Sequence, residues 1–145
     1  MLTLENTIIF ATQAHMGMRD KSGRSYILHP LSVMMRMDTD AERITALLHD
    51  VLEDCPSISL EDIRRDLKAT QEILIALTLL TKTKGCDYDV YIEGIKDNPL
   101  ACKVKIADLE HNMDLTRTLG RRNMTEKDML RMAKYYKSWS YLTGK

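Results

Sequence analysis

Four segments of the 145-residue chain concentrate side chains that bind cations or move protons: His29-Pro30, His49-Asp50 with Glu53-Asp54, Asp108, and His111-Asn112. Asp50 precedes Glu53 by three residues and Asp54 by four, so a helix would turn all three carboxylates to one side. Like charges so placed repel one another, and a cation beside them relieves the repulsion. His49 adds imidazole nitrogen to these oxygens, the mixed donor set that suits Mn²⁺, Fe²⁺ or Zn²⁺. Further on, Asp108, His111 and Asn112 form a polar stripe among Val104, Ile106, Ala107 and Met113, and polar groups in such surroundings need partners. Each piece also has an ordinary reading. A lone histidine more often satisfies a structural hydrogen bond than binds a metal, His15 fits a buried residue bonding a backbone carbonyl, and Glu53-Asp54 could be a solvated helix end. Negative charge at a helix C-terminus opposes the helix dipole, however, and the ordered co-occurrence of the segments favours a metal centre.

The elements that must carry these residues read as helices. Three prolines and six glycines punctuate a chain whose apolar residues recur at three- and four-residue spacing, the pattern of an all-α fold of about seven to eight helices. A first helix is expected over Leu4 to Met16, with Ile8, Ile9, Ala11 and Met16 on its inner side. The polar stretch 19–24 reads as a loop, and Pro30 as the first residue of a helix reaching about Met37. Asp40 is expected to cap a helix that runs through His49-Asp50 to the Cys55-Pro56 step. Ser59 starts the next, Glu72 to Leu80 forms a strongly apolar central helix, and Tyr88 to Ile95 a shorter one. Asn98-Pro99 opens a long helix to about Leu115, and Thr125, with Asp128 three residues on, caps the last. Met34, Met35, Met37, Met129 and Met132 read as adaptable core filler, and the cluster of Tyr135, Tyr136, Trp139 and Tyr141 as packing rather than a wall for a purine ring.

Composition narrows the function classes. With 44% hydrophobic and 29% charged residues, the chain has material for one sizeable core. Its 21 Lys+Arg balance 21 Asp+Glu, which supplies no long-range field toward nucleic acid or an anionic membrane. No apolar run approaches the ~20 residues that span a bilayer, and MLTLENTIIF lacks the basic opening of a secretory signal, so a cytoplasmic address is expected. Cys55, Cys86 and Cys102 are odd in number and have neither disulfide-framework nor zinc-site spacing. Apolar residues that fill a core and those that make a dimer look alike in sequence, so the pattern assigns no oligomeric state.

The segments His15-Met16-Gly17-Met18-Arg19, Tyr26-Ile27-Leu28-His29-Pro30-Leu31, Ala46 to Asp54, and Val104 to Asp108 with His111-Asn112-Met113 resemble, in this order, the HD-domain guanosine tetraphosphate (ppGpp) hydrolases. These are the hydrolase portions of bifunctional stringent-response enzymes and the stand-alone small alarmone hydrolases. The resemblance extends from residue 4 to about 141 and implies that residues 1–145 form a single HD-type helical domain. It implies one divalent cation, Mn²⁺ first, held by His29, His49, Asp50 and Asp108. It also implies Glu53 and Asp54 as the pair that orients or deprotonates water, and Asn112 beside a small-molecule nucleotide substrate. Arg19, Lys21 and Arg24, on the loop before His29, are expected to meet substrate phosphates.

Three positions differ from the family pattern. Asp20 interrupts the basic run of the early loop, Leu109 stands where a basic residue is usual, and Glu110 follows it, two helix positions past Asp108 and so expected to point away. Besides guanosine tetraphosphate, two alternatives stay open at this point: another nucleotide phosphoester, such as a phosphomonoester or dinucleotide phosphate, and a non-catalytic nucleotide-sensing module. The 145 residues are taken up by hydrolase-like helices and contain no GxxxxGK[ST] loop, so no synthetase or kinase activity is expected of them.

Overall fold

Side-chain caps, more than proline or glycine, set where the helices begin. The computed structural model describes residues 1–120 and 122–145. In chain order it contains α1 (Leu4–Ala14), α2 (Leu28–Met34), α3 (Asp40–Leu48), α4 (Val51–Asp54), α5 (Leu60–Leu67), α6 (Gln71–Leu80), α7 (Tyr88–Lys96), α8 (Pro99–Asn112), α9 (Leu115–Thr118) and α10 (Glu126–Thr143). Among the described residues there is no strand, only an isolated antiparallel bridge between Arg19 and Ser25. The all-α expectation holds: α4 and α9 are four-residue pieces, and the other eight are full helices.

Boundaries shift for local reasons. Thr39, not Asp40, caps α3: its hydroxyl accepts the Glu42 N–H while the Glu42 carboxylate accepts the Thr39 N–H, so two orphan donors are satisfied together. Ser59 with Asp62 and Thr125 with Asp128 repeat this box at α5 and α10. α2 begins two residues before Pro30, which the first turn tolerates because its N–H groups have no intrahelical acceptor. The helix expected to run through His49-Asp50 instead breaks there, leaving Asp50 (φ −102°, ψ −6°) as the N-cap of α4. α8 stops at Asn112, because Asp114 accepts the Thr116 and Arg117 N–H groups and starts α9.

α8 is the hub, touching α2, α3, α6, α7, α9 and α10, while α3 touches α1, α2, α6 and α8. Leu47 and Leu48 of α3, Ile73 and Leu77 of α6, and Val104 and Leu109 of α8 are completely buried between them. Each such side chain contributes roughly 1.5–3 kcal/mol by leaving water. The methionine expectation holds only in part: Met34 and Met37 are core residues, whereas Met35 and Met129 are exposed. On α1, which ends at Ala14 short of the expected Met16, Ala11 faces inward but Ile9 faces solvent, and Met16 beyond the helix is exposed. No helix among the described residues is long and apolar enough to cross a membrane, and all three cysteines are free thiols.

Candidate metal centre and the cavity beside it

Two helices and a helix break bring the cluster together: α2 carries His29, the α3–α4 break carries His49 and Asp50, and α8 carries Asp108. One donor atom from each of the four lies within 4.8 Å of all the others. His29 Nε2 stands 2.8 Å from Asp108 Oδ1 and 3.5 Å from Asp50 Oδ2, and His49 Nε2 stands 3.3 and 3.1 Å from the same two oxygens. The outward nitrogens are tied down. His49 Nδ1 donates to the Ala46 carbonyl, and His29 Nδ1 pairs with His111 Nδ1 at 2.7 Å. Burial, then the neighbouring His29, push His111 down to about 4, so it is neutral near pH 7. It can therefore accept from His29 and leave His29 Nε2 free as a ligand.

The electrostatics favour a cation. Burial opposes ionisation of His49, Asp50 and Asp108, yet the Asp50 and Asp108 carboxylates push His49 well up, His49 holds the Asp50 carboxyl well below the usual range, and Lys105 and then His49 do the same for Asp108. The buried Asp108 and half-buried Asp50 carboxylates, converging on two imidazoles, attract positive charge, as protons or as a metal. Nitrogen and oxygen donors in this number fit a first-row divalent ion, so the cluster could hold one. Asp108 Oδ2 accepts from half-buried Lys105 Nζ at 2.8 Å, and its Oδ1 from Asn112 Nδ2 at 3.1 Å. Asp50 Oδ2 accepts the Tyr26 hydroxyl at 2.6 Å; burial and then the Asp50 charge push that phenol far up, so it remains a donor.

Glu53 and Asp54 lie on α4, one turn beyond Asp50, and keep solvent access. The Asp54 N–H donates to the Asp50 carbonyl at 2.9 Å, so the expected helical spacing survives the break. Loss of hydration and then the Asp50 charge raise Asp54 to about 6. Burial and the Asp50 charge also raise Glu53, against a hydrogen bond from the Lys82 N–H. A carboxylate titrating near neutrality can accept a proton from water and later return it.

A cavity of about 290 Å³ opens beside the cluster. Its lining includes Arg19, Lys21 and Ser22 from the early loop, Arg117 from α9, and Arg131 and Tyr135 from α10. Tyr26 and Asn112 line it as well and reach Asp50 and Asp108, which makes cavity and cluster continuous. Partial burial and then Arg131 and Lys127 lower the Lys21 pKa, the mark of crowded positive charge that an anion would relieve. Arg19, Lys21 and Asn112 thus reach one site with the candidate metal cluster. Arg24 does not line the cavity; its main chain instead closes the loop, with its N–H donating to Asp20 Oδ1 and its carbonyl accepting from Asp20.

Other readings change here. Tyr135 does line the cavity, whereas Tyr136 stacks on Trp139 and is exposed. Leu109 is fully buried in the core, and Lys105, one turn earlier, supplies the positive charge beside Asp108. Glu110 points away, as expected, toward Arg36 at 3.5 Å and Trp139 Nε1 at 3.0 Å. His15 is buried but, among the described residues, its ring makes no bond to a carbonyl: its Nε2 has no partner there and its Nδ1 lies 3.9 Å from Cys55 Sγ. Sequence reasoning gave no role to Tyr26, Lys105, Arg117 or Arg131, and counted His111 only among the candidate cation-binding or proton-moving side chains. Lys105 had a local signal in its three-residue spacing from Asp108, whereas Arg117 and Arg131 are brought in only by the fold.

No family model matches the chain. Among curated proteins it is 32% identical over 135 residues to a GTP pyrophosphokinase of Streptomyces coelicolor, covering 86% of this chain and 16% of that protein. It is 32% identical over 129 residues to the bifunctional (p)ppGpp synthase/hydrolase SpoT of Escherichia coli K12, covering 81% of this chain and 18% of that one. A Vibrio cholerae guanosine-3′,5′-bis(diphosphate) 3′-pyrophosphohydrolase is 33% identical over 131 residues, with 81% and 18% covered. The chain thus spans less than a fifth of the length of these relatives. Among solved structures it shares a fold, at TM-score 0.75 and 21% identity over 96% of this chain and 84% of the other, with a metazoan SpoT orthologue described as hydrolysing ppGpp. The sequence identity across four-fifths of the chain relates this protein to one segment of these longer proteins, and the shared helical frame gives it the fold of the metazoan orthologue.

Proposed function

We propose that the chain is a cytoplasmic, metal-dependent phosphohydrolase that removes the 3′-pyrophosphate of guanosine tetraphosphate, with Mn²⁺ as its preferred ion. The observation that carries this reading is the continuity of the His29, His49, Asp50 and Asp108 cluster with a cavity rich in Arg and Lys. A divalent cation bound by those four residues supplies the Lewis acidity that polarises a phosphoryl oxygen and makes water more acidic. The remaining work falls to the protein. Arg19, Lys21 and Arg131 neutralise the phosphates, and Tyr135 offers an aromatic wall to the base. Tyr26, Lys105, Asn112 and His111 fix the donor side chains before substrate arrives. Glu53 or Asp54 orients a water and takes its proton as the water oxygen attacks phosphorus. The bond from phosphorus to the 3′ oxygen breaks, that oxygen acquires a proton, and guanosine diphosphate and pyrophosphate leave.

The kinase and synthase names of the relatives belong to proteins of which this chain matches under a fifth, and synthesis is not expected of these residues. The test is release of phosphate and pyrophosphate from a nucleotide panel by Mn²⁺-loaded protein, with Asp108→Ala as control. Pyrophosphate from guanosine tetraphosphate, lost in the variant, is the expected result. Turnover of another nucleotide alone changes the substrate, ATP-dependent pyrophosphoryl transfer overturns the exclusion of synthesis, and silence from metal-loaded protein overturns the enzyme reading.

A further inference from the structure

Asp20 contributes negative charge to a cavity whose other charged lining residues are Arg19, Lys21, Arg117 and Arg131, and the geometry gives that charge a use. Its Oδ1 accepts the Ser22 and Arg24 N–H groups at 2.9 and 3.0 Å, which closes the loop with Gly23 in the left-handed region (φ +79°). Its second oxygen, Oδ2, faces Arg117 Nε at 4.0 Å. The two side chains are only 12% and 14% exposed, so their attraction is weakly screened. Across 95 residues of sequence, Ser22 Oγ donates to the Arg117 carbonyl at 2.6 Å. Arg117 Nη1 donates to Asn112 Oδ1 at 2.9 Å, and Asn112 Nδ2 donates to Asp108 Oδ1. An unbroken chain of polar contacts therefore runs from the early loop to the metal donors.

Arg117 is under-used by the protein. A guanidinium has five N–H donors, and among the described residues Arg117 gives only Nη1 to an acceptor within hydrogen-bond distance. A largely buried cation on a cavity wall with donors to spare is a phosphate ligand awaiting its anion. We infer that Arg117 binds a substrate phosphate at the cluster end of the cavity, and that Asp20 and Ser22 are positioning residues that aim it. The inference deepens the phosphohydrolase reading above and rests on it for the identity of the substrate.

The sign of one effect separates this role from simple repulsion between Asp20 and phosphate. Asp20→Asn keeps an oxygen for the two loop N–H groups and removes only the charge facing Arg117. Binding of inorganic pyrophosphate would be measured by calorimetry without added metal, alongside kcat and KM for guanosine tetraphosphate with Mn²⁺. Arg117→Ala is expected to weaken pyrophosphate binding and raise KM about tenfold with little change in kcat, and Arg117→Lys to restore only part of the loss. Asp20→Asn is expected to weaken binding about threefold in the wild-type background and to strengthen it in the Arg117→Ala background. Tighter binding by Asp20→Asn alone, or unchanged pyrophosphate affinity in Arg117→Ala, overturns the inference. If guanosine tetraphosphate is not hydrolysed but the pyrophosphate pattern appears, the substrate reading falls and the Arg117 assignment stands. Turnover with KM and binding indifferent to Arg117 has the reverse meaning.

Discussion

His111 binds nothing in the proposed reaction, yet it decides which nitrogen His29 presents. Because its pKa is pushed down to about 4, it stays neutral throughout the neutral range, and its Nδ1 is able to accept the His29 Nδ1–H. His111→Ala should therefore lower Mn²⁺ affinity about 10–100-fold, the usual consequence of losing a partner that orients a ligand; metal titration checks this. Asp128 supports a second prediction. The Arg122 guanidinium and then the Thr125 N–H hold its carboxyl well below the ordinary 3.8. A carboxyl depressed in the folded state stabilises above its unfolded pKa, and that contribution disappears as pH falls through the folded value. Asp128→Asn should thus lower the melting temperature at pH 7, and the gap to wild type should close progressively below about pH 4. That His29, His49-Asp50 and Asp108 belong together was legible because they are rare types in an ordered series. Tyr26 and Arg117 were not, because a phenol or guanidinium acquires such a role only from what the fold sets opposite it.

Among the elements, α3 shows how local rules cooperate. Glu42 completes the cap with Thr39 and also accepts Lys103 Nζ of α8 at 2.9 Å, so one residue both starts α3 and ties it to the hub. Thr39→Ala should cost about 1 kcal/mol of stability, measured by denaturant unfolding, and leave kcat unchanged, since the cap lies at the far end of the helix from His49. α5 ends on Lys68 in the left-handed region (φ 57°), a conformation that suits glycine. Lys68→Gly should stabilise the protein by about 0.5–1 kcal/mol, read by the same unfolding curves. Helix existence was readable from apolar spacing and from caps such as Ser59, Asn98 and Thr125. The break at His49-Asp50 was not, since no proline or glycine marks it; the demand for two adjacent donors on one centre is tertiary. Nor does apolarity alone identify the hub: α8 mixes buried leucine with Lys105, Glu110 and His111 yet contacts more of the fold than the more hydrophobic α6.

At the scale of the molecule, stability and the candidate metal centre are linked. A ligand that binds only the folded state adds about 2.7 kcal/mol at a hundred times its dissociation constant, so Mn²⁺ should raise the melting temperature by several degrees. Asp108→Ala should abolish the shift, and calorimetry with and without the ion checks it. Leu47→Ala, in the layer between α3 and α8, should cost about 2–5 kcal/mol whether or not metal is present. The donors that the ion would join are far apart along the chain: His29 and Asp108 are separated by 79 residues, and His49 and Asp108 by 59. Joining them makes the ion a reversible topological cross-link, comparable to a staple that forbids the open forms of a long loop. Peeling α8 away would then require breaking coordination first. Amide hydrogens along α8 should accordingly exchange more slowly once the ion is in place, and a chelator should return those protons to solvent without any change in the covalent chain.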